Sequence, residues 1–282
     1  MDIKKSNRKR HLDTLLTATT WTFAVLTLTA LMFIVGHILI NGVPHLTPSL
    51  FEMRWTTENV SMMPSILSTA MMVVITLCLV VPLGMFTSIY LVEYAKKGSR
   101  YVKVIRQATE ILAGIPSIVY GLFGSLFFVN FMGLGLSLIA GALTLSIMVL
   151  PLVIRTTEEA LKSVSDGFRE GAFALGSGKL RVVFRIVLPS AVPGILAGVI
   201  LATGRIVGET AALIFTAGTA PNIPQNLYGS VRTLAVHMWS LSGEAFHTNE
   251  AYATAVVLLL IVLIINTVAA AIAKALNSGR IK

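Results

Sequence analysis

Six apolar stretches divide the chain into segments long enough to cross a lipid bilayer as helices. A spanning helix needs about 20 mainly apolar residues. The stretches of this kind are 14–40, 65–92, 107–131, 136–154, 186–216 and 251–273. Their apolar runs are continuous, whereas the strands of a membrane barrel alternate between apolar and polar positions. The pattern therefore predicts an all-α integral membrane protein with six transmembrane helices.

The first span predicts how the chain is organised from its N-terminus. It is too long for the apolar core of a cleaved signal peptide, and no small-x-small cleavage site follows it, so we interpret it as a retained signal anchor. The predicted parts are a basic cytoplasmic N-terminus at 1–13, the first transmembrane helix at 14–40, a transmembrane domain at 65–276 with a cytoplasmic loop at 155–188, and a cytoplasmic tail at 277–282.

Charge is sparse and unevenly placed. Only 12% of the 282 residues are charged, against about 25% in soluble domains, yet the net charge is +9. Nineteen of the 22 lysines and arginines fall before the first span, between the second and third, between the fourth and fifth, or after the sixth. Basic loops stay on the cytoplasmic side, so both termini are predicted to be cytoplasmic. The basic excess is then a signal of topology, reinforced by anionic lipid, and indicates no nucleic-acid partner.

Residues that usually form metal or nucleotide sites are few. A single cysteine, Cys78, excludes a disulfide scaffold, and the five histidines lack metal-ligand spacing. Gly178-Lys179 resembles the end of a phosphate-binding loop, but that motif requires glycine where Phe173 stands and Ser or Thr where Leu180 stands. We therefore expect no bound metal or cofactor, and any ATP to be hydrolysed by separate chains.

The long polar loop between the fourth and fifth spans has a helical pattern. Thr157, followed by two carboxylates, predicts a helix start, and Asp166 is positioned to cap a second short helix. Phe168, Ala172 and Leu175 would give that second helix an apolar face. Such a helix could dock in a groove of a partner or lie in the lipid headgroups, and the spacing alone does not choose between them.

A motif in this loop resembles the coupling loop of ABC importer permeases. The matching positions are Glu170, Gly171, Ala172, Gly176, Ile186, Leu188 and Pro189. Gly171 stands where the family usually has alanine, which should weaken a helix by about 0.5–1 kcal/mol. Further stretches resemble the phosphate-importer branch of the PstA type; they are 155–161, 188–191 and 204–211.

This resemblance implies a type I (MetI-like) ABC importer permease bundle, with residues 65–276 as the permease domain and a coupling helix in loop 155–188. It also implies a cytoplasmic ATPase dimer, a second related permease subunit in a heterodimer, and an extracytoplasmic phosphate-binding protein. The chain would be a transport subunit, not an enzyme, that moves inorganic phosphate across the bacterial cytoplasmic membrane.

Other functions remain open on the sequence alone. The spacing of the coupling motif does not exclude a permease for another oxyanion. A secondary transporter would have inverted repeats, and no clear repeat is found. A membrane enzyme would need a cluster of catalytic groups at one depth.

Charged residues inside or beside the spans are candidates for a substrate path. Arg205 and Glu209 are spaced i, i+4 in the fifth span, which puts both on one helix face, where they can pair. The pair is either a structural ion pair or a polar point on an anion path, where the fork of Arg205 suits phosphate and Glu209 orients it. Arg155, at the end of the fourth span, is either an interfacial anchor or part of the inner exit.

Two irregular segments are also predicted. Pro116 should kink the third span, because proline removes a backbone hydrogen bond. After a non-helical start at 217–224, Leu227, Val231, Leu234 and Met238 have the spacing of a helical apolar face. We expect this outer segment to lie at the membrane interface, with docking of a binding protein as the alternative.

Overall fold

The computed structural model describes residues 3–96, 98–243 and 246–278, and within these ranges it is helical without β-strands. Most of the predicted tail at 277–282 lies outside the described residues. The helices are α1 Ile3–Gly42, α2 Met63–Ile89, α3 Arg100–Ala113, α4 Ser117–Gly124, α5 Leu138–Lys162, α6 Asp166–Ala174, α7 Lys179–Val182, α8 Leu188–Val207, α9 Ala211–Thr216, α10 Leu234–Gly243 and α11 Thr248–Ser278.

Five helical segments are long and apolar enough to cross a membrane. They are Asp13–His45, Met63–Tyr94, Leu138–Lys162, Lys179–Val207 and Thr248–Ile272. Wider π-helical turns extend α2 through Tyr90–Tyr94, extend α4 through Ser125–Phe131 and precede α8 at Val183–Val187. A sixth span results if α3 and α4 count together.

The third predicted span, 107–131, is wrong as a single kinked helix. Its two halves, α3 and α4, meet at 102°, which is far more than a kink. Pro116 directly precedes the second half, and a residue before proline is driven out of the helical region, so the chain turns at 114–116.

Contacts at the two ends of the bundle show that this bent pair makes a full pass. At one end, Glu93 after α2 meets Arg169 of α6, just beyond the last turn of α5. At the other end, Thr69 of α2 accepts a hydrogen bond from the backbone of α10, and residues 227–229 cover the start of α5. Helices α2 and α5 therefore run in the same direction, and α3–α4 must return the chain between them. We call these ends the α6 end and the α10 end.

Helix α5 is the centre of the bundle, packed between α2 and α8. Met72, Leu145 and Ile206 are buried where these three helices meet. Without a hydrophobic driving force between helices in lipid, close packing has to hold them, and small residues permit it. A Cβ on Gly121 would lie 2.8 Å from the Cα of Ala212, so α4 and α9 pack backbone to backbone.

The predicted helix start at Thr157 is wrong, because α5 continues without interruption to Lys162. Arg155 is therefore two turns inside α5, and the first residues of the predicted loop 155–188 belong to this helix. The Pro151 ring is accommodated within it. The carboxylates that suggested a helix start instead lie on the last turns of a long one.

The outer helix begins later than the apolar spacing predicts. Residues 217–224 are non-helical, as expected, but α10 starts only at Leu234. The carbonyls of Leu227 and Gly229 accept hydrogen bonds from the N–H groups of Ile139 and Leu138, at 3.0 and 2.9 Å. These carbonyls cap α5, so this stretch of chain is held against the start of α5 as a turn rather than as a helix.

Candidate functional site

A cavity of about 350 Å³ lies between α3, α5 and α8, and charged side chains line much of it. Its residues come mainly from one face of α5, which runs from Met148 to Lys162 along the cavity. The charged members are Arg106, Glu110, Arg155, Glu158, Glu159, Lys162 and Arg205.

Most of these charges neutralise one another. Glu158 forms ion pairs with Arg106 of α3 and with Lys162 of its own helix, each with an N–O distance of 2.6 Å. The carboxylate of Glu159 pairs with Arg155 at 3.1 Å within α5. Glu158 thus joins α3 to α5, whereas Glu159 makes a contact within one helix.

Arg205 has no ion pair or hydrogen bond among the described residues, although its side chain lines the cavity. It lies in the last turn of α8. A planar guanidinium with free donors can bind two oxygens of one oxyanion. The cavity therefore offers a cationic group that the protein itself does not neutralise.

The predicted ion pair between Arg205 and Glu209 is wrong. Helix α8 ends at Val207, so the i, i+4 geometry is lost before Glu209. The Glu209 carboxylate is buried and accepts the Ala212 N–H at 3.1 Å, which caps the first turn of α9. Its structural role is to start the next helix after the break in the fifth predicted span, 186–216.

Arg155 is placed at the same cavity, as the sequence hypothesis of an inner exit requires. Its side chain is largely exposed, and its ion pair with Glu159 is also exposed. Surface pairs of this kind contribute little to stability, so Arg155 is easily released from it. Its part in an exit remains a prediction.

The coupling motif forms α6 and the turn that follows it. Ser165, not Asp166, is the cap: its hydroxyl accepts from Gly167 N at 3.3 Å. Asp166 is the first residue of the helix instead. Glu170 and Gly171 are exposed, and Ala172 is buried against the bundle.

Gly176 ends this helix for a conformational reason. Its φ is +78°, in the left-handed region that glycine adopts at little cost. Gly176 N donates to Phe173 O at 2.9 Å, and Ser177 N donates to Ala172 O at 3.0 Å. This paired arrangement is the Schellman motif, which satisfies the last carbonyls of a helix.

The later part of the motif anchors α8 at the α6 end. Ile186 and Leu188 pack against a buried apolar cluster that includes Val183 and Val187. Pro189 is the second residue of α8, directly after a π-helical turn. In a regular α-helix the N–H of residue 189 would donate to the carbonyl of Arg185, but Pro189 has no N–H. A wider turn at this point therefore breaks no hydrogen bond.

The apolar face predicted for α6 is divided by the fold. Ala172 points into the bundle, but Phe168, Phe173 and Leu175 are exposed. Leu180 of α7 and Phe184 add to this exposed apolar surface. Such a surface on a short helix is typical of a partner-binding site.

Sequence reasoning missed the residues that link elements in this region. Glu158 and Lys162 are spaced i, i+4, and that signal could have been read from the sequence. The contacts of Arg106 with Glu158 and of Arg169 with Glu93 had no such signal, because each joins distant parts of the chain. Among the described residues, no three His, Cys, Asp or Glu side chains are grouped to hold a metal ion.

A family comparison covers most of the chain. Residues 80–282 match the family described as "Binding-protein-dependent transport system inner membrane component". The match begins within α2 and includes the cavity, α6 and α8.

Several curated proteins are similar in sequence. The probable ABC transporter permease protein YqgI of Bacillus subtilis is 35% identical over 255 residues, 83% of this chain and 85% of that protein. The phosphate transport system permease protein PstA 1 of Mycobacterium tuberculosis is 36% identical over 69% of this chain. PstA of Yersinia pestis is 39% identical over 67% of it. The chain spans 63% and 64% of the lengths of these last two proteins.

Solved structures share the fold at low sequence identity. A bacterial alginate ABC transporter in complex with its alginate-bound periplasmic protein aligns over 95% of this chain and 96% of that one, with a TM-score of 0.67 and 16% identity. The inward-facing MetNI methionine ABC transporter aligns over 76% of this chain and 94% of that one, with a TM-score of 0.58 and 17% identity.

These matches confirm the predicted importer-permease fold and the prediction of a multi-pass transport subunit rather than an enzyme. The helices α3, α5 and α8 that line the charged cavity lie within the residues that the family match covers, as does α6. This chain belongs to the family of binding-protein-dependent transport system inner membrane components.

Proposed function

We propose that this chain is the permease subunit of an ATP-driven importer that carries inorganic phosphate across the bacterial cytoplasmic membrane. The observation that carries the proposal is the unneutralised guanidinium of Arg205 in the cavity between α3, α5 and α8. The PstA proteins that this chain resembles are phosphate transport system permeases by name, which supports phosphate over other oxyanions.

Arg205 would bind the anion by charge-assisted hydrogen bonds to two of its oxygens. The carboxylates of Glu110, Glu158 and Glu159 line the same cavity and repel an anion. Their repulsion would keep binding weak enough for release, which a transport path requires. Arg155, held only by an exposed pair, would receive the anion on its way to the inner exit.

The exposed apolar surface of α6 and α7 would dock on a cytoplasmic ATPase dimer. Phe168, Phe173 and Leu175 supply apolar contacts, and Glu170 adds an exposed charge beside them. The ATPase subunits would bind and hydrolyse ATP, and this chain would bind no cofactor of its own. The α6 end would then be cytoplasmic, together with both termini.

Two further partners complete the proposed importer. A second, related permease subunit would face the cavity and complete the path as a heterodimer. An extracytoplasmic phosphate-binding protein would dock at the α10 end, where Trp239 and Tyr228 are exposed.

Uptake of radiolabelled phosphate by proteoliposomes containing the assembled importer tests this function. We expect the uptake to depend on ATP. Excess unlabelled phosphate should inhibit uptake of the labelled phosphate, whereas excess sulfate should not. Arg205→Ala should reduce uptake at least about tenfold, because a charge-assisted contact with the anion is lost. Arg100→Ala removes the same charge from an exposed position outside the cavity and should leave uptake unchanged.

Three results would contradict the proposal. Sulfate competition equal to that of phosphate would mean another oxyanion substrate. Uptake without ATP would mean a secondary transporter. Normal uptake by an assembled Arg205→Ala complex would remove Arg205 from the anion path.

A further inference from the structure

Arg169 of α6 uses its whole guanidinium inside the protein. Nε and Nη2 donate to Glu93 Oε1 at 3.1 and 2.8 Å, Nη2 also donates to Leu161 O at 2.9 Å, and Nη1 donates to Val164 O at 2.6 Å. Nη1 has a further contact with Asp166 Oδ1 at 3.1 Å. An arginine side chain has five N–H donors, and these contacts use all five.

The important contacts are buried. The side chains of Arg169 and Glu93 are 13% and 9% exposed, whereas that of Asp166 is 86% exposed. Removing either partner of such a buried ion pair leaves an uncompensated charge, which is strongly destabilising. The contact with Asp166 stays within α6 and is solvated, so it contributes little.

This side chain connects three elements. Arg169 belongs to α6, Glu93 to the turn that ends α2, and Leu161 to the last turn of α5. The apolar attachment of α6 is small, since Ala172 is the buried residue of this helix. Arg169 is therefore the main link through which a displacement of α6 reaches α2 and α5.

The link continues toward the charged cavity. A polar cleft beside the pair is lined by Glu93 and Arg169 and also by Arg106 and Lys162. These last two residues hold Glu158, which lines the cavity that contains Arg205. The two groups of ion pairs therefore line one cleft, which lies between α6 and the wall of the cavity.

We propose that the Arg169–Glu93 pair is a positioning link that transmits movement of α6 to α2 and α5, so that ATP hydrolysis is coupled to transport through it. The proposal rests on the proposed function, because it requires α6 to receive the movement from an ATPase. It assigns no contact with the transported anion to either residue.

The test compares two carboxylate partners of the same arginine. Glu93→Gln removes the buried partner on α2, and Asp166→Asn removes the exposed partner within α6. Phosphate uptake and ATP hydrolysis are measured in the same proteoliposomes of the assembled importer. In Glu93→Gln we expect uptake per ATP hydrolysed to fall at least about fivefold, with half-maximal uptake at an unchanged phosphate concentration. Asp166→Asn should keep the wild-type ratio.

Arg169→Lys provides a second variant if Glu93→Gln does not assemble. Lysine keeps the charge but has three donors at one point, so it cannot serve Glu93, Leu161 and Val164 together. We expect the phosphate uptake per ATP hydrolysed by Arg169→Lys to lie between the values of the wild type and Glu93→Gln. If Glu93→Gln does not assemble, the ratio for Arg169→Lys should still lie below that of the wild type.

Either of two outcomes would overturn the link. One is a wild-type ratio in an assembled Glu93→Gln or Arg169→Lys complex. The other is an equal loss in Asp166→Asn, which would indicate a general effect of charge near α6. A wild-type importer that takes up no phosphate would instead contradict the proposed function, before any variant is compared.

Discussion

Two glycines of the coupling motif differ in whether their backbone conformation requires glycine. Gly171 lies within α6, and a Cβ built on it would meet nothing within 4 Å. Gly176 also has free space around it, but its φ of +78° strains any other residue. The family resemblance marks both positions, yet only Gly176 needs to be glycine for the fold.

Alanine substitutions separate these two cases. Gly171→Ala should stabilise α6 by about 0.5–1 kcal/mol, because alanine loses less backbone entropy in a helix. Gly176→Ala should destabilise the C-terminal end of α6 by about 1–2 kcal/mol. Amide hydrogen exchange of residues 166–177, measured by mass spectrometry, should slow in the first variant and accelerate in the second. Equal exchange in both would contradict the assigned role of Gly176.

At the α10 end, His237 is a buried residue whose charge state depends on its surroundings. Its side chain is fully buried, and its Nε2 has no hydrogen-bond partner among the described residues. Burial, assisted by the positive charge of nearby Arg232, lowers the pKa of His237 to about 4. The folded protein therefore keeps this imidazole neutral at neutral pH.

This pKa predicts a loss of stability in acid. The unfolded chain binds a proton at His237 near pH 6.5, but the folded chain binds one only near pH 4. The stabilisation of the folded state by neutral His237 is therefore complete above pH 6.5 and is lost as the pH falls to about 4. The full loss is about 3 kcal/mol. The unfolding midpoint of the detergent-purified protein, measured from pH 8 to pH 5, should fall more steeply in the wild type than in His237→Gln. Parallel profiles would contradict the assignment.

At the scale of elements, the break between α8 and α9 decides what the intramembrane charges do. On one continuous helix, Arg205 and Glu209 would share a face. The break after Val207 instead leaves Arg205 at the end of α8 and turns Glu209 to the start of α9. One charge is then available to a ligand, and the other completes a helix.

Glu209 variants distinguish capping from anion binding. Gln keeps an oxygen that can accept the Ala212 N–H, so Glu209→Gln should retain most stability and uptake. Glu209→Ala should lose about 1 kcal/mol, as other cap residues do. Thermal unfolding and phosphate uptake of both variants measure these effects. A Glu209→Gln variant that is fully stable but does not transport would show that the negative charge itself is required.

At the scale of the whole molecule, six passes follow from the contacts at the two ends of the bundle. The bent pair α3–α4 completes the count, because α2 and α5 run in the same direction. The basic segments that predicted the cytoplasmic side include α6 and α7, at the α6 end. The placement of the basic residues therefore predicts that the α6 end is cytoplasmic.

Cysteine labelling tests that orientation. In a Cys78→Ser background, Gln225→Cys lies in the exposed segment before α10, and Ser163→Cys lies in the exposed turn between α5 and α6. A membrane-impermeant maleimide should label Gln225→Cys in intact cells and Ser163→Cys only in inverted vesicles. The reverse pattern would invert the proposed topology.

Sequence alone was sufficient for the features that lipid and local backbone chemistry impose. Apolar length predicts the spans, although not the bend within 107–131, and a glycine at position 176 permits the end of α6. The placement of lysine and arginine predicts the direction. These requirements act on single segments, so they can be read without knowing what packs against them. The coupling motif belongs to the same class, because its spacing is local.

Only the tertiary structure decided where helices break and which charges meet. The sharp bend at 114–116 and the capping of α5 by residues 227–229 depend on contacts between separate segments. Arg169 and Glu93 lie 76 residues apart, and no local pattern selects that partner. Local spacing offers a charged residue several candidate partners. Tertiary packing decides which of these partners it contacts, so the sequence alone does not identify the ion pair. This is why Arg205 remains available to an anion while its predicted partner, Glu209, caps a helix.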